Sequence, residues 1–224
     1  MLAGEILKRA RDDLQDAEGV RFTTEMLLEW LSDAQRALVL LRPDAGAVIR
    51  TVRLSRGSTL QSLPADGVRF LGVLRNMEPG EGETFLPGRA VALTTLEALN
   101  AGVPLWHSQG ESRVVYEYAP DETTPSHFWV SPPPAENVWV EIKYALNPPE
   151  LTGEDREITV FATFAEPLRE YVLYRAYSRN DQPIDYQGRA NLHLQRFFTS
   201  IGEEAKARLY SSPLNGLGGA GGAA

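Results

Sequence analysis

The chain has 224 residues, of which 43% are hydrophobic and 23% charged, and its formal net charge is −8. That balance describes a globular protein of one domain, or one domain carrying a sizeable insertion, and excludes a disordered chain. The absence of cysteine excludes disulfides, thiolate metal sites and cysteine nucleophiles. No apolar run approaches the ~18 residues of a membrane span, and the first residues lack the order of a secretory signal, so synthesis in the cytosol is expected.

The first predicted element is an amphipathic helix. Ile6, Leu7, Ala10 and Leu14 share one face at helical spacing, Lys8, Arg9, Asp12 and Asp13 the other, and Gly19 ends the segment. Thr23 is the expected N-cap of a second helix, with Glu25 in its first turn. Phe22 and Leu27 are placed to form a hydrophobic staple. Leu27, Trp30, Leu31, Ala34, Leu38 and Leu41 give this helix a wide apolar stripe, and Pro43 stops it.

The hydrophobic period then changes from helix to strand. Strands are predicted over residues 48–54, 68–75, 114–118, 127–131 and 138–144. The last is the clearest, with Val138, Val140, Ile142 and Tyr144 on one face and Trp139, Glu141 and Lys143 on the other. A short helix is predicted over residues 95–100, closed by Gly102. After Pro149 the helical period returns. Phe164, Leu168, Val172 and Ala176 form a stripe flanked by Tyr171, Tyr174 and Tyr177, with Pro167 in the first turn. A turn is expected over residues 180–183, then a last helix over 184–209 burying Ala190, Leu194, Phe197, Ile201 and Ala205, with Lys206 and Arg208 complementing its C-terminal dipole.

These elements predict an α+β fold. Residues 1–46 and 147–210 form an antiparallel helical bundle, residues 47–146 an inserted, mostly antiparallel β unit, and residues 211–224 an extended Gly/Ala-rich tail that cannot build a core. The acid is concentrated in the middle of the chain: residues 76–157 carry fourteen acidic and four basic side chains. That sign opposes binding to the outside of DNA by counterion release.

Local signatures of chemistry are missing. Gly216-Leu217-Gly218-Gly219-Ala220-Gly221 matches the dinucleotide pattern in letters, but a predicted helix precedes it and no helix N-terminus follows. His107, His127 and His193 lack a second histidine at helical spacing, and no serine sits in a nucleophile elbow. The neighbouring acids at 12–13, 121–122 and 154–155 point apart and read as solvated surface. A helix-turn-helix reading of the first two helices conflicts with their acidic balance. No catalytic, metal or cofactor site is expected. Trp106 and His107, in a loop, are candidates for an exposed interface.

A family resemblance is carried by an ordered series of segments. It begins with Glu29-Trp30-Leu31-Ser32-Asp33-Ala34-Gln35-Arg36, Arg42-Pro43-Asp44-Ala45, Leu63-Pro64-Ala65-Asp66-Gly67 and Arg75-Asn76. It continues with Pro104-Leu105-Trp106-His107, Phe128-Trp129-Val130-Ser131-Pro132-Pro133-Pro134 and Tyr171-Val172-Leu173-Tyr174-Arg175-Ala176-Tyr177-Ser178. In order and spacing the chain resembles the adaptor (head-to-tail connector) proteins of short-tailed bacteriophages, similar in role to tail tubular protein A, over residues 2–210.

The resemblance implies a structural virion protein, not an enzyme, made in the host cytoplasm and placed at the head–tail junction. It implies a ring of copies, typically twelve, between a portal protein and a tail nozzle protein, with DNA passing through without sequence-specific binding and with no membrane anchor or cofactor. On that reading Ser211, Ser212, Pro213, Leu214 and Leu217 are portal-interface candidates, and Trp106 and His107 tail-interface candidates. Glu78, Glu81, Glu83, Asp121 and Glu122 are candidates to line a channel whose acidic walls repel phosphate. Two other classes stay open on the residues alone: a monomeric or dimeric α+β binding module, and an enzyme with a site built from distant acids.

Overall fold

The computed structural model describes residues 1–82, 84–179 and 186–211, with residues 186 and 203–211 described as backbone only. The chain divides into two compact units, Met1–Leu38 with Pro148–Ala224, and Val39–Asn147. Among the described residues there are five α-helices and two four-stranded sheets, an α+β fold.

In the first unit, α1 (Ala3–Leu14) buries Ala3, Ile6, Leu7, Ala10 and Leu14 along the predicted face. Each large aliphatic side chain so buried contributes about 2 kcal/mol. The helix ends at Gln15, whose backbone is left-handed at φ 54°. The loop that follows is organised by one carboxylate: Asp16 accepts backbone N–H groups from Val20 (3.0 Å), Arg21 (3.1 Å) and Phe22 (2.8 Å). Gly19, with φ 66°, makes the reversal inside that loop.

Helix α2 (Thr24–Leu41) follows, and the Thr23 carbonyl accepts the Leu27 N–H at 3.1 Å. Phe22 is buried, and its ring meets Trp30 edge-on at 5.9 Å. The chain segment after Pro148 is laced to both helices. Ala3 and Gly4 donate to the carbonyls of Arg156 and Glu154, which satisfies open N–H groups at the start of α1. Ser32 and Gln35 of α2, both buried, accept the N–H groups of Leu151 (3.0 Å) and Thr159 (2.7 Å). Arg11 bridges Glu154 and Thr24, each at 2.7 Å.

Helix α4 (Ala165–Tyr177) begins after a 3-10 turn at Ala162–Phe164, with Pro167 in its first turn, where a missing N–H costs nothing. Phe164, Leu168, Val172 and Ala176 are fully buried, as their spacing predicts. α4 packs against α1 and against α5 (Tyr186–Ser211). Arg175 reaches Asp33 of α2 at 2.9 Å. On α5, Ala190, Phe197 and Ile201 are buried and Leu194 half-buried. The side chains of Ala205, Lys206 and Arg208, the turn over 180–183 and the tail beyond Ser211 lie outside the described residues.

The second unit is a two-sheet sandwich. Its strands are β1 (Ala47–Arg53), β2 (Leu60–Ser62), β3 (Gly67–Pro79), β4 (Phe85–Ala90), β5 (Ala92–Leu93), β6 (Glu117–Pro120), β7 (His127–Ser131) and β8 (Trp139–Leu146). One sheet has the order β1-β8-β3-β4 and the other β2-β7-β6-β5. All pairs are antiparallel except β5 with β6. Between β5 and β6 lies the short helix α3 (Leu96–Gly102), capped by Thr95, whose hydroxyl accepts the Ala98 N–H at 3.1 Å.

Val140, Ile142 and Tyr144 of β8, with Phe70 of the adjacent β3, point into the core against Tyr118, Phe128 and Val130 of the other sheet. Phe70 and Phe128 stack at 4.3 Å, and Tyr118 meets Phe70 edge-on at 5.7 Å. Gly72 is required here: its φ is 155°, and a Cβ would sit 3.1 Å from the Tyr118 hydroxyl.

The strand predicted over residues 114–118 begins instead at Glu117. The cause is a side chain: the Asn76 carboxamide hydrogen-bonds both backbone groups of Val115, at 2.8 and 2.9 Å, in place of a ladder partner. β2, β4 and β5 were not predicted. The first and last are two or three residues long, and Pro87-Gly88 interrupts the pattern of β4.

Candidate interaction surfaces

The acidic residues singled out in the sequence occupy two separate loops. Glu78, next to the last residue of β3, pairs with Leu86, and Glu81 lies in the turn to β4; both are exposed. That turn is closed by the Gly80 N–H to the Thr84 carbonyl at 2.9 Å and by the Thr84 hydroxyl to the Glu81 carbonyl at 2.7 Å. Glu83 lies outside the described residues.

Asp121 and Glu122 sit between β6 and β7. Glu122 is exposed and Asp121 half-buried. Asp121 accepts from the Thr123 hydroxyl (2.7 Å), the Thr123 N–H (2.9 Å) and the Thr124 N–H (3.3 Å). The Thr123 hydroxyl, then the Thr123 N–H, hold its carboxyl below the ordinary value. The Pro125 carbonyl of this loop takes the Phe70 N–H at 2.8 Å, which puts it at the opposite end of β3 from Pro79.

Beside that loop lies a groove of about 800 Å³. Leu93, Leu96, Pro120 and Trp129 supply its apolar lining, and Glu97, Asp121 and Glu122 its charge. None of the lining residues is cationic. Leu93, on edge strand β5, is 67% exposed. Sequence reading missed this site because three distant segments build it, and only the Thr95 cap and the exposed leucine beside it could have hinted at it.

Trp106 corrects the expectation of an exposed loop aromatic. It is 2% exposed, donates its indole N–H to Asn100 Oδ1 at 2.9 Å and meets Trp129 edge-on at 5.9 Å. It backs the groove from inside, in a small cluster with Leu99 and Ala119. Asn100, on α3, supplies the acceptor that lets the indole be buried. Its neighbour His107 is exposed.

In the helical unit, Glu170 is buried and its Oε2 lies 2.7 Å from His193 Nδ1, which joins α4 to α5. His193 stacks flat on Tyr177 at 5.3 Å, and Tyr171 meets Phe197 edge-on at 5.3 Å. The tyrosines therefore contribute to packing between these helices. Of the tail candidates, Ser211 is described as the last helical residue, backbone only. Ser212, Pro213, Leu214 and Leu217 lie outside the described residues.

Among the described residues no cluster of His, Asp or Glu is placed to hold a metal ion, and no helix is long and apolar enough to cross a membrane. No curated protein matches the chain. Residues 1–217 match the family model described as SU10 adaptor protein. That match runs through both structural units, so the chain belongs to the SU10 adaptor protein family and is a phage adaptor.

Proposed function

We propose that the protein is a structural virion component, not an enzyme, that assembles as a ring of typically twelve copies between the portal and the tail nozzle. The family match over residues 1–217 carries this reading. The division of the chain into a helical and a sandwich unit supports a split of roles. Residues 1–46 and 147–210, as a helical bundle, face the portal; residues 47–146, with His107 on their surface, face the next tail component. The C-terminal residues beyond Ser211 dock on the portal through Leu214 and Leu217. Many copies in one ring engage the portal at once and so gain avidity that a single short segment lacks.

DNA passes through the ring without being bound. Exposed carboxylates repel phosphate and suit a channel wall, and Glu78 and Glu81 at the β3–β4 turn are the first candidates, with Glu83 a candidate from the sequence alone. Asp121 and Glu122 belong to a separate region of the same unit.

The test is to mix the purified chain with cognate portal rings and image the product by electron microscopy. A second ring on the portal is the expected result, and its attachment should fall for a chain truncated at Ser211. Portal rings that stay bare at saturating protein would overturn the reading.

A further inference from the structure

Helix α5 presents an exposed face that nothing in its own unit explains. Gly188, Leu192, Gln195, Thr199 and Gly202 recur at spacings of four and three and are all exposed. Leu192 is 45% exposed, and Phe198 beside the stripe 53%. A Cβ added at Gly188 or Gly202 would meet nothing within 4 Å. A glycine inside a helix costs about 1 kcal/mol relative to alanine, so two of them on an open face fit a surface against which another backbone lies close. Around Leu192 the helix carries positive charge: Arg196 stands one turn away, and the nearest acids in the sequence are Asp185 and Glu203, at or beyond the ends of the stripe.

The groove on the sandwich unit has the complementary character. It is concave and apolar, carries Glu97, Asp121 and Glu122, and has no cation in its lining. Asp121 is engaged by its own turn, whereas Glu97 and Glu122 form no ion pair with another described residue. A convex helix with a leucine and an arginine on one face, pressed into an apolar trough rimmed by carboxylates, is the helix-in-groove mode of recognition.

We infer that the occupant of this groove is a second copy of the chain, which inserts the Leu192–Arg196 face of α5. One copy's helix meets the next copy's groove, so the contact is heterologous, and each copy offers both halves. Such a contact propagates from copy to copy and closes when the rotation allows. The inference rests on the proposed ring and names the surfaces that join its subunits.

Charge exchange tests it. Glu97→Arg with Glu122→Arg reverses the groove, and Arg196→Glu reverses the helix face. All these positions are exposed, so thermal melts should match wild type. In sedimentation at millimolar protein, wild type is expected to associate, and each variant alone to dissociate at least tenfold more readily. An equal mixture of the two variants should recover association, because one contact becomes arginine in the groove against glutamate on the helix while the alternate contact stays native.

The chain has no cysteine, so a disulfide between Leu93→Cys in one copy and Leu192→Cys in another gives a second readout. A mixed dimer should exceed either homodimer. Three results overturn the inference: a wild type that stays monomeric, variants that associate as wild type does, or a mixture that fails to recover. Portal attachment measured in parallel separates the two readings. Attachment indifferent to the charge exchange removes this interface and leaves the adaptor role; the full exchange pattern without attachment does the reverse.

Discussion

Asn76 hydrogen-bonds both backbone groups of Val115, its amide N–H donating to the carbonyl at 2.8 Å and its amide oxygen accepting the N–H at 2.9 Å. The same amide nitrogen donates to the Arg89 carbonyl at 2.9 Å. One buried side chain of β3 thus ties the start of β6 and the end of β4 to its own strand. Replacement by alanine leaves backbone groups inside the sandwich without partners. A loss of about 2–4 kcal/mol is expected, read as a lower urea midpoint with an unchanged slope. Asn76→Asp should cost more, because a carboxylate would face two carbonyl oxygens. An aspartate variant as stable as wild type would refute the role.

That pair also explains what the sequence concealed. Alternation made β8 plain, because Val140, Ile142 and Tyr144 all face one core and a strand repeats every two residues. Helical spacing did the same for the buried faces of α1 and α4. Val114 and Val115 look like strand, yet their place is set by a side chain thirty-nine residues away, which no local pattern carries. Trp106 looked exposed because loop residues surround it, and its partner Trp129 comes from strand β7, more than twenty residues on. The groove has residues from 93–97, 120–123 and 129, so only the fold assembles it.

Asp16 is expected to control the acid limb of stability. Burial pushes its carboxyl up, and the N–H groups of Phe22, Arg21 and Val20, with the charge of Arg11, outweigh that and hold it below 3.8. A carboxyl depressed on folding stabilises fully above its unfolded value, and that contribution is lost as pH falls through the folded one. Asp16→Ala should therefore cost about 2 kcal/mol near neutral pH. Asp16→Asn should flatten the fall in stability below pH 3.8, measured by urea unfolding across the acid range. An asparagine variant with the wild-type acid slope would exclude Asp16 as the titrating group.

His193 keeps the buried Glu170 carboxylate paired at 2.7 Å, with Arg169 at 3.6 Å from its other oxygen. His193→Ala removes the nearer partner and leaves the charge buried, so a loss of roughly 3 kcal/mol is expected. Glu170→Leu together with His193→Leu removes both polar groups and should cost less than the single alanine. Urea midpoints of the three proteins decide this. A double leucine variant that loses as much stability as His193→Ala, or more, would show that the pairing does not account for the loss.

The two acidic loops should act independently in DNA passage. Phe70, which donates to the Asp121–Ser126 loop, and Pro79, beside Glu78, are nine residues apart on β3. That is about 30 Å of extended chain, several Debye lengths at physiological salt, so the loops do not share one local field. Glu78→Lys with Glu81→Lys is expected to slow ejection and to do so more at low salt, where attraction between lysine and phosphate is least screened. Glu122→Lys should act through the contact between copies instead, lowering the yield of assembled virions while those that form eject at the wild-type rate and salt dependence. Dye-release kinetics from virions carrying each variant, followed at low and high salt, measure both effects. Equal slowing by the two variants would place both loops on the channel and remove Glu122 from the contact between copies; no slowing by Glu78→Lys and Glu81→Lys would take the β3–β4 turn off the channel wall.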